Sequence, residues 1–296
     1  MKLVSTVRTW GEMIKFSHSI FALPFALVAA FLAGRGLDSG RPAASHLLLV
    51  MLCMMAARSV AMTFNRIADA AIDARNPRTA GRPIPAGKIS RGAAWGFLVV
   101  AVVVFLLGCA GFRLVHENPW PMYLAVPVLV YLCGYAYTKR FTKWSHLYLG
   151  SAIALSPVAA WIAVHPASVG WPALVLMAAV TCWIGGFDII YACQDVDCDR
   201  RDGLFSLPSR WGVARALWAA RVAHGLTVVL LVVLGHIAEL GTLYLIGVAI
   251  VGVLLVVENA LVRANDLSRV NLAFFTVNGV VSLVLGGLAI ADVVLR

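Results

Sequence analysis

The sequence predicts an all-α membrane protein, and three observations carry that prediction. Of 296 residues, 61% are hydrophobic and only 13% charged, where soluble domains carry about 25% charged residues. Mean hydropathy is +0.88. The apolar residues also come in runs, each near the roughly 17–25 residues that let a helix cross a bilayer.

Nine such runs follow one another, at about 17–35, 46–72, 92–112, 119–138, 146–165, 171–194, 216–236, 241–262 and 271–294. The first resembles the others in length, and no small-residue cleavage site follows a short apolar core, so no cleaved signal peptide is expected. The second carries a guanidinium, Arg58, in its middle and ends in acids. The third is apolar throughout. The fourth ends in Tyr135-Ala136-Tyr137-Thr138-Lys139-Arg140, and the sixth runs into a second group of acids. The fifth and the last three complete the set. Connections are short and leave no room for a large soluble domain, so residues 1–296 read as one membrane domain of nine helices.

Net charge is +10. With the N-terminus in the cytoplasm and the spans alternating, eighteen Lys and Arg side chains fall on the inner side. Four fall outside: Arg35, Arg41, Arg113 and Arg296. This is the positive-inside pattern of a membrane protein, and it calls for no nucleic-acid partner. Six cysteines lie mostly within apolar runs without zinc-ligand spacing and read as small buried hydrophobes. The histidines are scattered. His18, near the start of the first run, reads as a lining residue or a polar anchor.

Half of the fourteen acidic residues sit in two short windows. Charge at a membrane edge is costly and marks candidate functional sites. In the first window Asn65, Asp69 and Asp73 are spaced i, i+4, i+8, which places them on one helix stripe, each about 6 Å beyond the last. In the second, Asp188, Asp195 and Asp199 (i, i+7, i+11) share a stripe on a continuous helix. Asp197 lies about 200° around from Asp195, and Gly203 marks the helix end near Asp202. Both windows close on connections of the inner face. Paired stripes of hard oxygen donors suit Mg²⁺, which binds through a few carboxylates, waters and substrate phosphates.

Arginines follow the first stripe. Arg78 and Arg82 lie in a segment broken by Pro77, Gly81, Pro83 and Pro85, and guanidinium forks match diphosphate oxygens. Tyr135 and Lys139, four apart, share a helix face, as diphosphate contacts or as an interfacial anchor. Arg58 needs a partner inside the membrane, either an acid of the site or the carboxylate of a substrate.

These segments, NRIADAAIDARNPRTAGRPIPAGKIS, YTKRFTKWSH and GFDIIYACQDVDCDRRDGLFSLPSRWG, resemble the UbiA superfamily of intramembrane prenyltransferases over nearly the whole chain. The resemblance implies nine helices around a cavity and two Asp motifs that bind Mg²⁺ and a polyprenyl diphosphate. It makes Asp69, Asp73, Asp195 and Asp199 catalytic. With Asn65 and Asp188 they would form the metal-binding set. Arg78, Arg82, Tyr135 and Lys139 would contact the diphosphate, and Arg58 and Asn65 the aromatic substrate. Asp197 has no counterpart in the motif. The implied reaction ionises the allylic diphosphate to a carbocation, which an electron-rich ring attacks beside its hydroxyl. The acceptor implied first is 4-hydroxybenzoate of ubiquinone synthesis, and second a hydroxynaphthoate of menaquinone synthesis. The implied location is a bacterial-type inner membrane, with the site near the cytoplasmic face and no obligate protein partner. An ion-coupled transporter is a distant alternative, since its charged site belongs at the midplane between repeats.

Overall fold

The structure is a computed structural model that describes the backbone of residues 2–15 and 19–296 and the side chains of residues 8–15 and 21–296. His18 lies outside the described residues. Among them the chain is almost entirely helical: α1 (Lys2–Ile14), α2 (Ser19–Gly34), α3 (Ala44–Arg75), α4 (Arg91–His116), α5 (Trp120–Thr138), α6 (Ser145–Val164), α7 (Trp171–Ala192), α8 (Val196–Arg201), α9 (Leu207–Trp211), α10 (Val213–Ile237), α11 (Thr242–Leu261), α12 (Val270–Leu272) and α13 (Asn278–Leu295). A π-helical turn, Ala273–Val277, joins the last two.

Eight helices among the described residues are long and apolar enough to cross a membrane. They cover eight of the nine predicted runs, and the protein is an integral membrane protein. Within the remaining run, 17–35, the described residues form α2. The helix α1 was not anticipated, because its apolar residues are interleaved with polar ones instead of forming a run. The six cysteines are free, two buried and four half-buried, as their apolar settings imply.

The chain divides into two compact units, Met1–Ser19 with Leu48–Tyr137, and Ile20–Leu47 with Thr138–Arg296. In the first, Met13 of α1 is fully buried in a cluster with Ala70 of α3, Ala94 of α4, and Ile84 and Ile89 of the connection between those helices. Trp10 packs on Phe97 with ring centroids 4.8 Å apart. This packing fastens α1 against the C-terminal end of α3, where the first acidic window lies.

In the second unit small residues let helices close. A Cβ on Gly150 of α6 would strike the Thr181 carbonyl of α7. One on Gly185 would meet the Leu147 side chain at 3.0 Å and the His146 carbonyl oxygen at 3.5 Å. Such contacts bring membrane helices near enough to share polar side chains. A polar chain also crosses this unit. Trp183 Nε1 donates to Asn278 Oδ1 (2.7 Å), and Asn278 Nδ2 donates to Glu258 Oε1 (2.7 Å). It ties α7, α11 and α13 together beside the π-helical turn.

Candidate functional site

The last turns of α3 carry the first acidic window. Asn65, Asp69 and Asp73 lie on this one helix as predicted. Asn65 Nδ2 donates to Asp69 Oδ2 at 3.0 Å, so the Asn65 amide oxygen faces away from that bond as an oxygen donor. Asp69 and Asp73 are 1% and 3% exposed, and burial at this level demands compensation. For Asp73 the compensation is cationic. Arg82 Nη1 meets its Oδ1 at 2.6 Å, and Arg66 Nη1 lies 4.0 Å from its Oδ2. Asp73 Oδ2 has no hydrogen-bond partner although buried.

The connection that returns Arg82 to Asp73 is built from local hydrogen bonds. Thr79 Oγ1 donates to the Asp73 carbonyl at 3.0 Å, capping one of the free carbonyls at the end of α3. The Asn76 side chain accepts from the Arg78 amide at 2.9 Å, a turn characteristic of Asn. The Ile89 amide donates to the Pro83 carbonyl and Gly87 takes φ +69°, which closes the loop before α4. Arg78 is exposed on this loop, whereas Arg82 is only partly exposed.

Lys15, absent from the predicted site, belongs to this neighbourhood. Burial first, and then the Arg66, Arg82 and Arg78 guanidinium groups, hold its ammonium below the usual lysine pKa. Its backbone closes α1 at φ 51°, and its carbonyl accepts from Arg58 Nη2 at 3.1 Å. The membrane guanidinium therefore finds a backbone carbonyl where an acidic side chain was one of the two expected partners. Arg58 Nε is buried with no hydrogen-bond partner. The signal that could have revealed Lys15 is the amphipathic pattern of α1 with a lysine at its end.

The second window departs from a continuous helix. The α-helix α7 stops at Ala192, Cys193–Asp195 form a 3₁₀ turn, and α8 then runs Val196–Arg201. A 3₁₀ turn has three residues per turn. The single stripe predicted for Asp188, Asp195 and Asp199 is therefore interrupted between its first member and the other two. Asp195 and Asp199 stay close enough to sense each other's charge, and Lys139 and His146 also lie within electrostatic reach of Asp199. Asp197 is exposed, as its helical phase predicts. Asp202 caps α8 and pairs with Arg201 at 3.2 Å, and Gly203 takes φ +69°, ending the helix where expected.

Asp188 is held by a residue the sequence did not single out. Its Oδ2 lies 2.7 Å from Nδ1 of the buried His146 of α6. The Nε2 of the same ring accepts from the Leu207 amide at 3.2 Å. Lys139 lies one residue past the end of α5, in a turn and not on the helix face shared with Tyr135. Its carbonyl accepts from the Phe205 amide at 2.7 Å. Within each unit, the described residues contain no group of three His, Cys, Asp or Glu side chains placed to hold a metal ion.

The chain resembles known proteins in sequence and in fold. The family model for the UbiA prenyltransferase family matches residues 22–280. The 4-hydroxybenzoate octaprenyltransferase of Vibrio parahaemolyticus is 32% identical over 256 residues, 85% of this chain and 86% of the relative. The enzyme of the same name from Xanthomonas euvesicatoria is 31% identical over 255 residues, 85% and 81% of the two chains. Among solved structures, the apo UbiA homolog of Aeropyrum pernix superposes with a TM-score of 0.81 at 29% identity, covering 93% of this chain and 98% of that one. The UbiA homolog of Archaeoglobus fulgidus bound to GPP and Mg²⁺ shares the fold, with a TM-score of 0.70 at 17% identity over 97% and 99% of the chains. The chain, an all-helical membrane protein with both acidic windows inside or beside its helix ends, is a member of the UbiA prenyltransferase family.

Proposed function

We propose that the protein transfers a polyprenyl group from its diphosphate to the ring of a small aromatic acid, 4-hydroxybenzoate before a hydroxynaphthoate. The observation that carries this reading is the C-terminal end of α3. Two buried carboxylates, Asp69 and Asp73, stand there with Arg66 and Arg82, and Lys15 and Arg78 lie beside those arginines. Buried acids among surplus cations suit a polyanion bound together with a divalent metal. The names of the relatives at 31–32% identity support the choice of acceptor.

The donor set fits Mg²⁺. Four carboxylates (Asp69, Asp73, Asp195 and Asp199) and the Asn65 amide oxygen are hard oxygen donors, and Asp73 Oδ2, buried without a hydrogen bond, is the kind of atom a cation satisfies. Asp188 would extend the set. When bound, Mg²⁺ supplies neutralising charge to the departing diphosphate. Arg78, Arg82, Tyr135 and Lys139 would grip the diphosphate oxygens, and the cationic ones would offset charge as the allylic C–O bond breaks. Arg58, with donors beyond the one given to Lys15, would hold the acceptor carboxylate, with Asn65 beside it. The ring carbon next to the hydroxyl then attacks the allylic cation, and a proton leaves to restore the aromatic ring. Apolar walls exclude the water that would quench the cation.

By this reading the two units serve one prenyltransferase domain, α2 completes a set of nine membrane helices, and the N-terminus is cytoplasmic. The basic connections support that orientation. The protein would then work at the cytoplasmic face of a bacterial-type inner membrane. An assay of the purified protein in detergent tests the proposal. It would contain Mg²⁺, geranyl or longer diphosphates, and a panel of hydroxybenzoates and hydroxynaphthoates, with products identified by mass. Prenylated 4-hydroxybenzoate is the expected product. A prenylated hydroxynaphthoate would move the acceptor assignment, and cation transport without any product would overturn the enzyme reading.

A further inference from the structure

We infer that His146 is a positioning residue for the second acidic motif, acting as a neutral two-armed clamp. The inference rests on the reading that this motif binds Mg²⁺ and diphosphate. The ring's protonation follows from its partners. A backbone N–H can only donate, so Nε2, which receives the Leu207 amide at 3.2 Å, carries no proton. Nδ1 must then be the N–H, and it donates to Asp188 Oδ2 at 2.7 Å. The imidazole is neutral, and both its nitrogens are engaged. The ring is buried at 4% exposure, so water is poorly placed to replace either arm.

Each arm reaches a different part of the motif. The Nδ1 arm fixes the rotamer of Asp188 and leaves Oδ1 as its available oxygen. The Nε2 arm anchors the end of the strap of residues 203–207 that follows α8. That strap is tied at every turn. The Leu204 amide donates to the Asp199 carbonyl at 2.8 Å, and the Phe205 amide to the Lys139 carbonyl at 2.7 Å. Ser206 Oγ donates to Asp199 Oδ2 at 2.7 Å while accepting the Ser209 amide as the N-cap of α9. One imidazole thus links Asp188, Asp199 and Lys139, three residues assigned above to metal or diphosphate. Residues that orient metal ligands in this way commonly change metal affinity by 10–100-fold when removed.

Two conservative variants separate the arms, because the Asn side-chain amide superimposes on Nδ1 and the Gln amide on Nε2. The measurements are the Mg²⁺ concentration for half-maximal prenyl transfer and amide hydrogen exchange across residues 203–209 in protein without substrate or metal. In His146→Ala the Mg²⁺ requirement should rise about 10–100-fold, with turnover at saturating Mg²⁺ within a few-fold of wild type. Exchange in the strap should quicken roughly two- to tenfold. His146→Gln should keep the slow exchange, and His146→Asn should lose it while recovering part of the Mg²⁺ affinity. An unchanged Mg²⁺ requirement in a folded His146→Ala protein overturns the inference, as do identical profiles for Asn and Gln. Should His146→Ala fail to fold, the Asn and Gln pair still decides. Wild-type protein without Mg²⁺-dependent transfer would remove the functional reading alone, since strap exchange reports on the clamp independently.

Discussion

At the end of α3, the nearly inaccessible carboxylate of Asp73 is balanced by charge, while Asp69 accepts from the Asn65 amide. Asp73 is flanked by Arg82 at 2.6 Å and Arg66 at 4.0 Å, with Lys15 and Arg78 adding positive potential nearby. At the end of α7 and along α8, the hydrogen bonds on Asp188 and Asp199 come from the His146 imidazole and the Ser206 hydroxyl, with Lys139 within electrostatic reach of Asp199. Coulomb attraction is long-ranged and grows as the local dielectric falls, whereas a neutral hydrogen bond is short and directional. The first region should therefore respond to any change in charge count, and the second to any change in shape. If both serve one diphosphate, the first supplies most of the field and the second most of the geometry.

The largest effect should come from removing a buried charge without changing shape. Asp69→Asn keeps the side-chain outline beside Asn65 but removes a carboxylate from the proposed Mg²⁺ set. Prenyl transfer should fall by about 10³-fold, the scale on which a single electrostatic contributor to catalysis is lost, while the melting temperature in detergent stays near wild type. Asp195→Asn should do the same. Substantial turnover in either variant at saturating Mg²⁺ would sink the metal assignment.

Arg82→Ala comes next and breaks the comparison from the other side. It strips the 2.6 Å partner from Asp73. A fully buried pair broken this way costs about 3–5 kcal/mol. The cost here should be smaller, because Arg82 is 22% exposed at its side chain and Arg66 remains. Thermal unfolding should show a clear drop in stability, and Asp73→Asn in the same chain should restore most of it. A double variant as unstable as Arg82→Ala alone would show that the pair is not what stabilises the loop.

The two regions also differed in how much the sequence revealed. The Asn65-Asp69-Asp73 stripe was legible because α3 is an unbroken helix, so spacing converts directly into a face. Asp188 with Asp195 and Asp199 was not, because a 3₁₀ turn at Cys193–Asp195 sets in where the residues alone suggest continuity. The exposure of Asp197 and the helix end at Gly203 were still read correctly, since both depend on α8 and its own stop signal. His146 was invisible because its partners are 42 and 61 residues away and a lone histidine in an apolar run has no local signature. Lys15 was counted only as a basic topogenic residue. Seven of the acids cluster visibly, but Glu258, fully buried on Asn278, stands alone in its run and drew no attention.

A smaller effect is expected from Ser206→Ala, which cuts two neutral bonds at once: the one to Asp199 and the cap of α9. Loss of a Ser cap costs typically about 1 kcal/mol. A modest fall in melting temperature should accompany a several-fold higher Mg²⁺ requirement, far short of the loss in Asp69→Asn. If Ser206→Ala instead abolished transfer, the second region would be supplying more than geometry and the contrast with the first would fail.

The smallest effect belongs to Lys15 and is read through pH. Its pKa in the folded protein lies below the unfolded value of 10.5, because burial and then Arg66, Arg82 and Arg78 disfavour the ammonium. Between the folded and unfolded pKa values the unfolded chain binds more protons than the folded one. Stability from this group therefore rises as pH climbs through that window, and the penalty is fully present below it. Lys15→Met keeps the aliphatic stem and removes the titration, so its melting temperature should exceed that of wild type near neutrality and the two curves should converge towards pH 10. Pyrophosphate with Mg²⁺ should narrow the gap at neutral pH, because a bound polyanion turns the crowded ammonium from a liability into a ligand. Parallel pH curves for the two proteins would mean that the ammonium of Lys15 is not strained by its arginine neighbours. The first region would then have less surplus positive charge to offer a diphosphate than its burial pattern implies.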